Sequence, residues 1–436
     1  MASENPAPFD RPYRWPGTDW MFRVLDDYEK DYPNLSKHAN GYPTPDELRA
    51  VTKIGNIGYE GEMDAPSEGS ELIRSHILDD DLRPLYLQVW GGPNTIARAL
   101  KDIEDAYQDT PEWEALHAKI SEKVIITACG EQDDTYRSYI GEQWPDIQYV
   151  CTMGAYAYQW LGLPDGESKD NLCASFMLPE ILNGKSALAN GYSTWMDGHY
   201  YEGEEEVSQF GSNPNILEEW FGAKMGMPRA KEYKKYDFLS EGDSPTFFLL
   251  LDWGFRTTEN FCYGGFSGRY HKADDQFNSK GEPLNIWQID KDYYTDKDGN
   301  RVLTNSMWPY VADIQRDLAA RVAWCGAATI KEAEHIPKLS IKEGVDIFVT
   351  PGEQLTLHAE ASVIDAGLHV AVTWRNYEEA GASCASDMTL EASGDSCLVT
   401  IPANAAAGDK LHIIVKAQTD GHHRLVHYQQ VVLTVK

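Results

Sequence analysis

Apolar and polar positions follow two different rhythms along this chain. In the first three quarters, short unbroken apolar runs precede stretches with apolar residues at three- and four-residue spacing. "PLYLQVW" reads as a buried strand and "TIARALKDIEDAY" as the helix after it. "KVIITAC" has no polar interruption, as expected of a strand covered on both faces. "DDTYRSYIGEQW" reads as a helix and "IQYVCTM" as a third strand. Strands alternating with helices predict a mostly parallel sheet flanked by helices, an α/β fold. Further on, "TFFLLLDWGF" reads as another buried strand, "YYTDKDGNRVLTN" as a hairpin around Asp298-Gly299, and "PYVADIQRDLAARVAWC" as a closing helix.

Before residue 85 the pattern is helical. "WMFRVLDDYEKDY" places Phe22, Leu25 and Tyr28 on one face. "TPDELRAVTKIG" opens with Thr44 as cap, Pro45 at the first helical position and Glu47 three residues after the cap. "SEGSELIRSHIL" reads as a third helix. Residues 155 to 235 lose the rhythm and read as a long irregular excursion with short helices. After Pro337 the period becomes two. "LTLHAEASVI", "HVAVTWRNY", "SCLVTIPA", "KLHIIVKAQTD" and "YQQVVLTVK" predict a β-sandwich of immunoglobulin type, with Trp374 as a core ring. The chain thus divides into an α/β domain over 1–336 and a β-sandwich over 337–436.

Charge narrows the partners. A formal net charge of -31 across 436 residues repels phosphate backbones, which argues against nucleic acid. No apolar run approaches the roughly 20 residues that span a bilayer, so no membrane segment is expected. "MASENPAPFDRPYRW" has neither the basic start nor the apolar stretch of a signal peptide. The seven cysteines form no CxxC pair; Cys384 and Cys397 lie near each other on neighbouring predicted strands, and free buried thiols are the expectation for the set. Asn34-Leu35-Ser36 is an N-glycosylation sequon by pattern.

Ligands of open α/β sheets sit at the carboxyl ends of the strands. After the first strand come Gly91, Gly92, Pro93, Asn94 and Thr95; after the second, Gly130, Glu131, Gln132, Asp133 and Asp134. "SEGDSP" adds Glu241 and Asp243 ahead of the later apolar run. Such oxygen-rich groups suit a hard cation such as Ca²⁺, or sugar hydroxyls. Asp133 and Asp134 also suit a helix N-terminus, where acids complement the dipole. His199 is a candidate acid/base or sugar-binding residue, and Trp195 and Trp253 are candidate stacking rings, each with a core or surface role as the plainer reading. The three histidines of "GHHRLVH" are too loosely spaced to predict a metal site.

"VWGGPNTIARAL", "EQDDTYRSYI", "EGDSPTFFLL", "GGFSGRY" and "WRNYEEAG" together resemble the cellulose-binding Sde182-like proteins, which join a nucleoside-hydrolase-like α/β domain to a C-terminal Ig-like domain. The resemblance runs from about "WPGTDW" to the end. It implies a sugar-binding cleft, secretion, and a fold suited to hydrolysis at an anomeric carbon. It makes Thr95, through its backbone carbonyl, and Asp243 the positions matching Ca²⁺ ligands. It also implies an opening buried strand whose aspartate-rich loop supplies the main metal carboxylates and the base. Before residue 85 this chain reads only as helices and loops, so the α/β domain is expected to be N-terminally incomplete and Ca²⁺ to be short of ligands. Asp133, Asp134 and Glu241 remain the catalytic candidates, and Asn94, Trp195, His199 and Trp253 the sugar-binding ones. The leading expectation is a polysaccharide- or oligosaccharide-binding protein with impaired or absent hydrolysis. The alternatives are a Ca²⁺-dependent glycoside or N-ribosyl hydrolase, and a non-catalytic protein-interaction module.

Overall fold

The computed structural model describes residues 19–152, 160–198, 232–251 and 253–436. Three helices open it: α1 (Trp20–His38), α2 (Pro45–Val51) and α3 (Glu68–Leu78). Thr44 and Glu47 form the capping box that the sequence predicts, and Ser67 caps α3 in the same way with Ser70. The sequon does not present its asparagine freely. Asn34 lies inside α1 and its amide donates to the Cys325 carbonyl at 2.7 Å.

The central sheet has five strands in the order β1-β2-β3-β5-β4. β1 (Leu85–Val89), β2 (Val124–Ala128), β3 (Gln148–Cys151) and β5 (Ile286–Ile289) run parallel, and β4 (Tyr270–Lys272) pairs antiparallel with β5. Helices α4 (Asn94–Tyr107) and α5 (Trp113–Lys123) connect β1 to β2. Every residue of β2 is buried. Val124 and Ile126 pack with Ile96, Leu100 and Ile103 of α4 on one face; Ile125 packs with Leu249, Phe261 and Tyr270 on the other. Each such aliphatic side chain contributes roughly 1.5–3 kcal/mol when fully buried.

Two local expectations change. "DDTYRSYIGEQW" folds as a π-helical turn, Tyr136–Ile140, running into a short α-turn. The run "TFFLLLDWGF" is not a strand. A short helix, Pro245–Phe248, follows Ser244, with proline at its first turn, a position that proline's fixed φ favours. The apolar side chains then cover the sheet from outside rather than joining it. β4 and β5 take the sheet places instead; they are short and mixed in polarity, which hides them from a periodicity reading.

The hairpin is as expected, with β6 (Lys291–Thr295) and β7 (Arg301–Asn305) joined through Gly299 at φ 85°. The closing helix is Val311–Cys325. Beyond it come eight strands: β8 (Lys338–Ile341), β9 (Asp346–Val349), β10 (Gln354–Ser362), β11 (Val370–Asn376), β12 (Thr389–Ser393), β13 (Ser396–Thr400), β14 (Lys410–Thr419) and β15 (Val426–Val435). They form two four-stranded sheets, β12-β13-β10-β8 and β11-β14-β15-β9, the β-sandwich predicted from the period-two pattern. Leu357, Cys397, Val399, Leu411, Ile413, Val415 and Val431 fill the space between the sheets. Trp374 is only half-buried against this core, and its indole N–H reaches the Gly394 carbonyl at 3.2 Å. All seven cysteines are free thiols.

The two domains share one core. Trp253, Phe266, Tyr310 and Val311 pack in the same cluster as Tyr377, Ile414, Val426 and Tyr428 of the sandwich. Some of its polar groups bond across the boundary. Tyr428 donates to Asp313 at 2.5 Å, where Lys416 also lies 2.9 Å away. Tyr377 donates to Asp292 at 2.5 Å, and Arg269 pairs with the same carboxylate at 2.9 Å. The backbone N–H groups of Tyr428 and Gln430 bond to the carbonyls of Trp253 and Gly254.

Candidate functional site

The turn after β1 and the turn after β2 meet at one end of the sheet. Asp133 joins them. Its Oδ2 accepts the backbone N–H of Asn94 at 3.1 Å, one of the donors that a helix start leaves unpaired. Its Oδ1 accepts the backbone and hydroxyl of Thr135 at 3.0 and 2.6 Å. Asp133 therefore serves as a helix N-terminal acid for α4 as well as at the start of its own segment. The approach requires glycine: a Cβ on Gly92 would lie 1.8 Å from Asp133 Oδ2, whereas one on Gly91 meets open space. Asp134 points its side chain to solvent at φ 64°, and its carbonyl accepts from Ser138.

Asn94 and Thr95 face the loop before α3. The Asn94 amide donates to the carbonyls of Asn56 and Glu62, both at 2.9 Å. The Thr95 hydroxyl accepts the Asn56 N–H at 3.0 Å. These bonds form one wall of a cleft of about 620 Å³, lined by Asn56, Tyr59, Trp90, Gly92, Asn94, Gln132 and Asp133, with Trp20, Met21 and Phe22 of α1 opposite. Its rings are open to solvent: Trp90 is 56% exposed, Tyr59 52% and Trp20 49%. Trp90 is held by its indole N–H, which donates to Thr246 at 2.8 Å. Phe22, expected on the buried face of α1, instead borders this cleft.

Glu241 and Asp243 lie one step behind Trp90. Thr246, which receives the indole bond, donates its hydroxyl to the Asp243 carbonyl at 2.7 Å. Burial pushes the Asp243 carboxyl above its ordinary value, against a hydrogen bond from Cys129. Burial and this carboxylate together push the Cys129 thiol up to about 12, which makes it inert as a nucleophile. Burial also raises Glu241, whose carboxylate accepts from Tyr192 and, at 2.8 Å, from Ser244.

The remaining candidates are not gathered here. Trp195 is 2% exposed and stacks on Tyr233 with ring centroids 4.6 Å apart; Trp253 is 5% exposed and packs on Phe266. Both belong to the shared core rather than to the cleft. His199 lies outside the described residues. The rings that do face the cleft, Trp20, Tyr59 and Trp90, were missed as candidates. Trp90 had a usable signal, since it stands between the last buried residue of β1 and the glycine turn.

A parallel sheet with a glycine turn and a cleft at its carboxyl end, backed by a β-sandwich, defines a nucleoside-hydrolase-like protein with an appended immunoglobulin-like domain. Residues 12–270 match the family model described as cellulose-binding Sde182, nucleoside hydrolase-like domain, and residues 354–435 match that of the cellulose-binding protein Sde0182, C-terminal domain. The chain belongs to the cellulose-binding Sde182 family. A solved structure with the same fold is a nucleoside hydrolase-related hypothetical protein from Saccharophagus degradans, described as associated with carbohydrate metabolism. It aligns with TM-score 0.70 at 22% identity, over 97% of this chain and 89% of that one. Three N-terminal domains of the bacteriophage RB49 highly immunogenic outer capsid protein align at TM-score 0.17 and 12% identity, over 23% of this chain and 30% of theirs, and carry no argument. No curated protein matches the chain.

Proposed function

We propose that the protein binds cellulose or a related plant-type polysaccharide, or its fragments, in the cleft beside β1, with hydrolysis impaired or absent. The observation that carries this reading is the ring of solvent-open aromatics, Trp20, Tyr59 and Trp90, around a polar floor that includes Gln132 and Asp133. Flat rings with a polar edge suit the apolar faces of sugars, and the nearby amides and carboxylates suit the hydroxyls. Weak or absent hydrolysis follows from the carboxylates. Glycoside hydrolysis uses two carboxyl groups flanking the scissile bond. Asp133 is occupied by three donors, Asp134 faces solvent, and Glu241 is held by Tyr192 and Ser244.

Ca²⁺ fits this site poorly. It takes six to eight oxygens. Thr95 and Asp243 are two sources, and the Thr95 carbonyl lies in the first turn of α4, where helix geometry directs it to the N–H four residues on. Among the described residues, no three His, Cys, Asp or Glu ligand atoms converge around Asp243.

A second reading, hydrolysis at an anomeric carbon, has one observation in its favour. Asp243 and Glu241 are carboxyls raised by burial, as a general acid requires.

Pull-down on cellulose and titration with cello-oligosaccharides, with and without Ca²⁺, test these readings. Trp90→Ala is expected to weaken binding about tenfold, the effect of losing one well-placed aromatic anchor, with Ca²⁺ making no difference. Release of reducing sugar or free base that depends on Asp243 would favour the hydrolase. No binding to any glycan would sink both and favour a protein-interaction module.

A further inference from the structure

The turn between β14 (Lys410–Thr419) and β15 (Val426–Val435) carries His422 and His423. Its neighbour in space is Glu180, on the π-helical turn Met177–Ile181 of the α/β domain. His422 Nε2 lies 3.0 Å from Glu180 Oε1, and His423 Nε2 lies 3.8 Å from Glu180 Oε2. One nitrogen from each histidine and one carboxylate oxygen lie within 4.8 Å of one another. Ligand atoms about 2.0–2.1 Å from one tetrahedral ion stand roughly 3.3 Å apart. The separations of 3.0 and 3.8 Å, one to each oxygen of Glu180, lie on either side of that value.

A second carboxylate fixes the histidine. Glu334, in the connection between the closing helix and the sandwich, accepts His423 Nδ1 at 3.1 Å. Because a carboxylate only accepts, the proton sits on Nδ1 and the Nε2 lone pair is turned toward Glu180. This is the carboxylate–histidine pairing that orients metal-binding imidazoles. Glu334 is itself held by the backbone N–H groups of His422 and His423, at 2.6 and 2.8 Å. Gly421 makes room for it: a Cβ there would lie 2.6 Å from the Glu334 carboxyl carbon.

We propose that Glu180, His422 and His423 bind one Zn²⁺ ion across the domain boundary, with Glu334 as the positioning residue and water in the fourth place. Two histidines and one glutamate match the donor preference of zinc rather than calcium. The ion ties the β14–β15 turn to the α/β domain, beside the Arg424–Glu167 ion pair at 2.6 Å. It is separate from the cleft and does not depend on what the cleft binds. Local spacing in "GHHRLVH" did not predict it, because the third ligand lies 242 residues from His422.

The test is calorimetric titration of Zn²⁺ into the EDTA-stripped full chain, with Co²⁺ absorption and thermal melts beside it. The expected result is one ion per chain, a higher melting temperature with Zn²⁺, and a Co²⁺ spectrum without the thiolate charge-transfer band that cysteine ligands give. His422→Ala and His423→Ala should each lower affinity at least 100-fold, and Glu334→Gln about 10- to 100-fold. His422 is largely exposed, so His422→Ala should keep its EDTA melt even if His423→Ala does not fold. No saturable Zn²⁺ binding, binding unchanged by His422→Ala, or a thiolate band would overturn the proposal.

Discussion

The cleft beside β1 and the seam between the domains are both made where a strand meets a loop from elsewhere, and they are finished in opposite ways. At the seam, Tyr377, Tyr428 and Gln430 are buried; the two hydroxyls donate to Asp292 and Asp313, and the Gln430 amide N–H donates to the Tyr263 carbonyl. At the cleft, Trp20, Tyr59 and Trp90 turn their faces to solvent; one bond to Thr246 holds Trp90, and further polar bonds secure the wall behind the rings. Burying polar groups with partners makes a surface that cannot part without leaving them unpaired. Leaving flat rings uncovered keeps surface available for a ligand. The same residue types therefore hold the chain together in one region and stay open for recognition in the other.

The largest effect should come from closing space at the seam. Gly254 has φ 84°, and a Cβ there would lie 1.7 Å from the Tyr428 carbonyl oxygen. Gly254→Ala is expected to destabilise by about 4 kcal/mol or more, through backbone strain and loss of the cross-domain bonds. A chemical denaturation curve checks this; a loss under about 1 kcal/mol would mean that the seam yields more easily than its packing implies.

Next comes pH. His412 sits at the seam, edge-on to Tyr263, with Gln430 3.2 Å from its Nδ1. Burial first, then Lys410 and Arg256, lower its pKa from 6.5 to about 4. The unfolded chain binds a proton below about 6.5, and the folded chain binds it only near 4. Stability is therefore lost as pH falls through that window, by on the order of 3 kcal/mol. Denaturation at pH 7 and pH 4.5 should show a smaller drop in His412→Asn than in the wild type. Equal drops would remove His412 as the cause.

The smallest effect should separate two adjacent glycines at the cleft. Gly92→Ala displaces Asp133 from Asn94 and Thr135 and should cost roughly 1–3 kcal/mol. Gly91→Ala meets open space and should be close to neutral. Melting temperatures of the two variants decide it, and equal shifts would contradict the assigned contacts.

How much of this was readable beforehand depended on whether the cause was local. The capping box at Thr44, the fully buried β2 and the turn at Gly299 follow from neighbours in sequence, and the pattern revealed them. The run after Asp243 misled because apolar content signals burial without choosing helix or strand. Trp195, Trp253 and Trp90 are chemically alike, and only tertiary packing sends two inward and one outward. Asp133 was legible as an acid at the start of its own helix, but its second bond, to the preceding helix, is set by how two turns cross.

The shared core also bears on how the chain is made. β9 (Asp346–Val349) pairs with β15 only from Val432 onward; the earlier part of that strand bonds to the backbone at Trp253 and Gly254. Trp253 thus leaves the ribosome about 175 residues before Tyr428, the residue that covers it. At 5–20 residues per second the interval is roughly 10–35 s. During that time the part of the shared core contributed by the α/β domain lacks the sandwich residues that complete it.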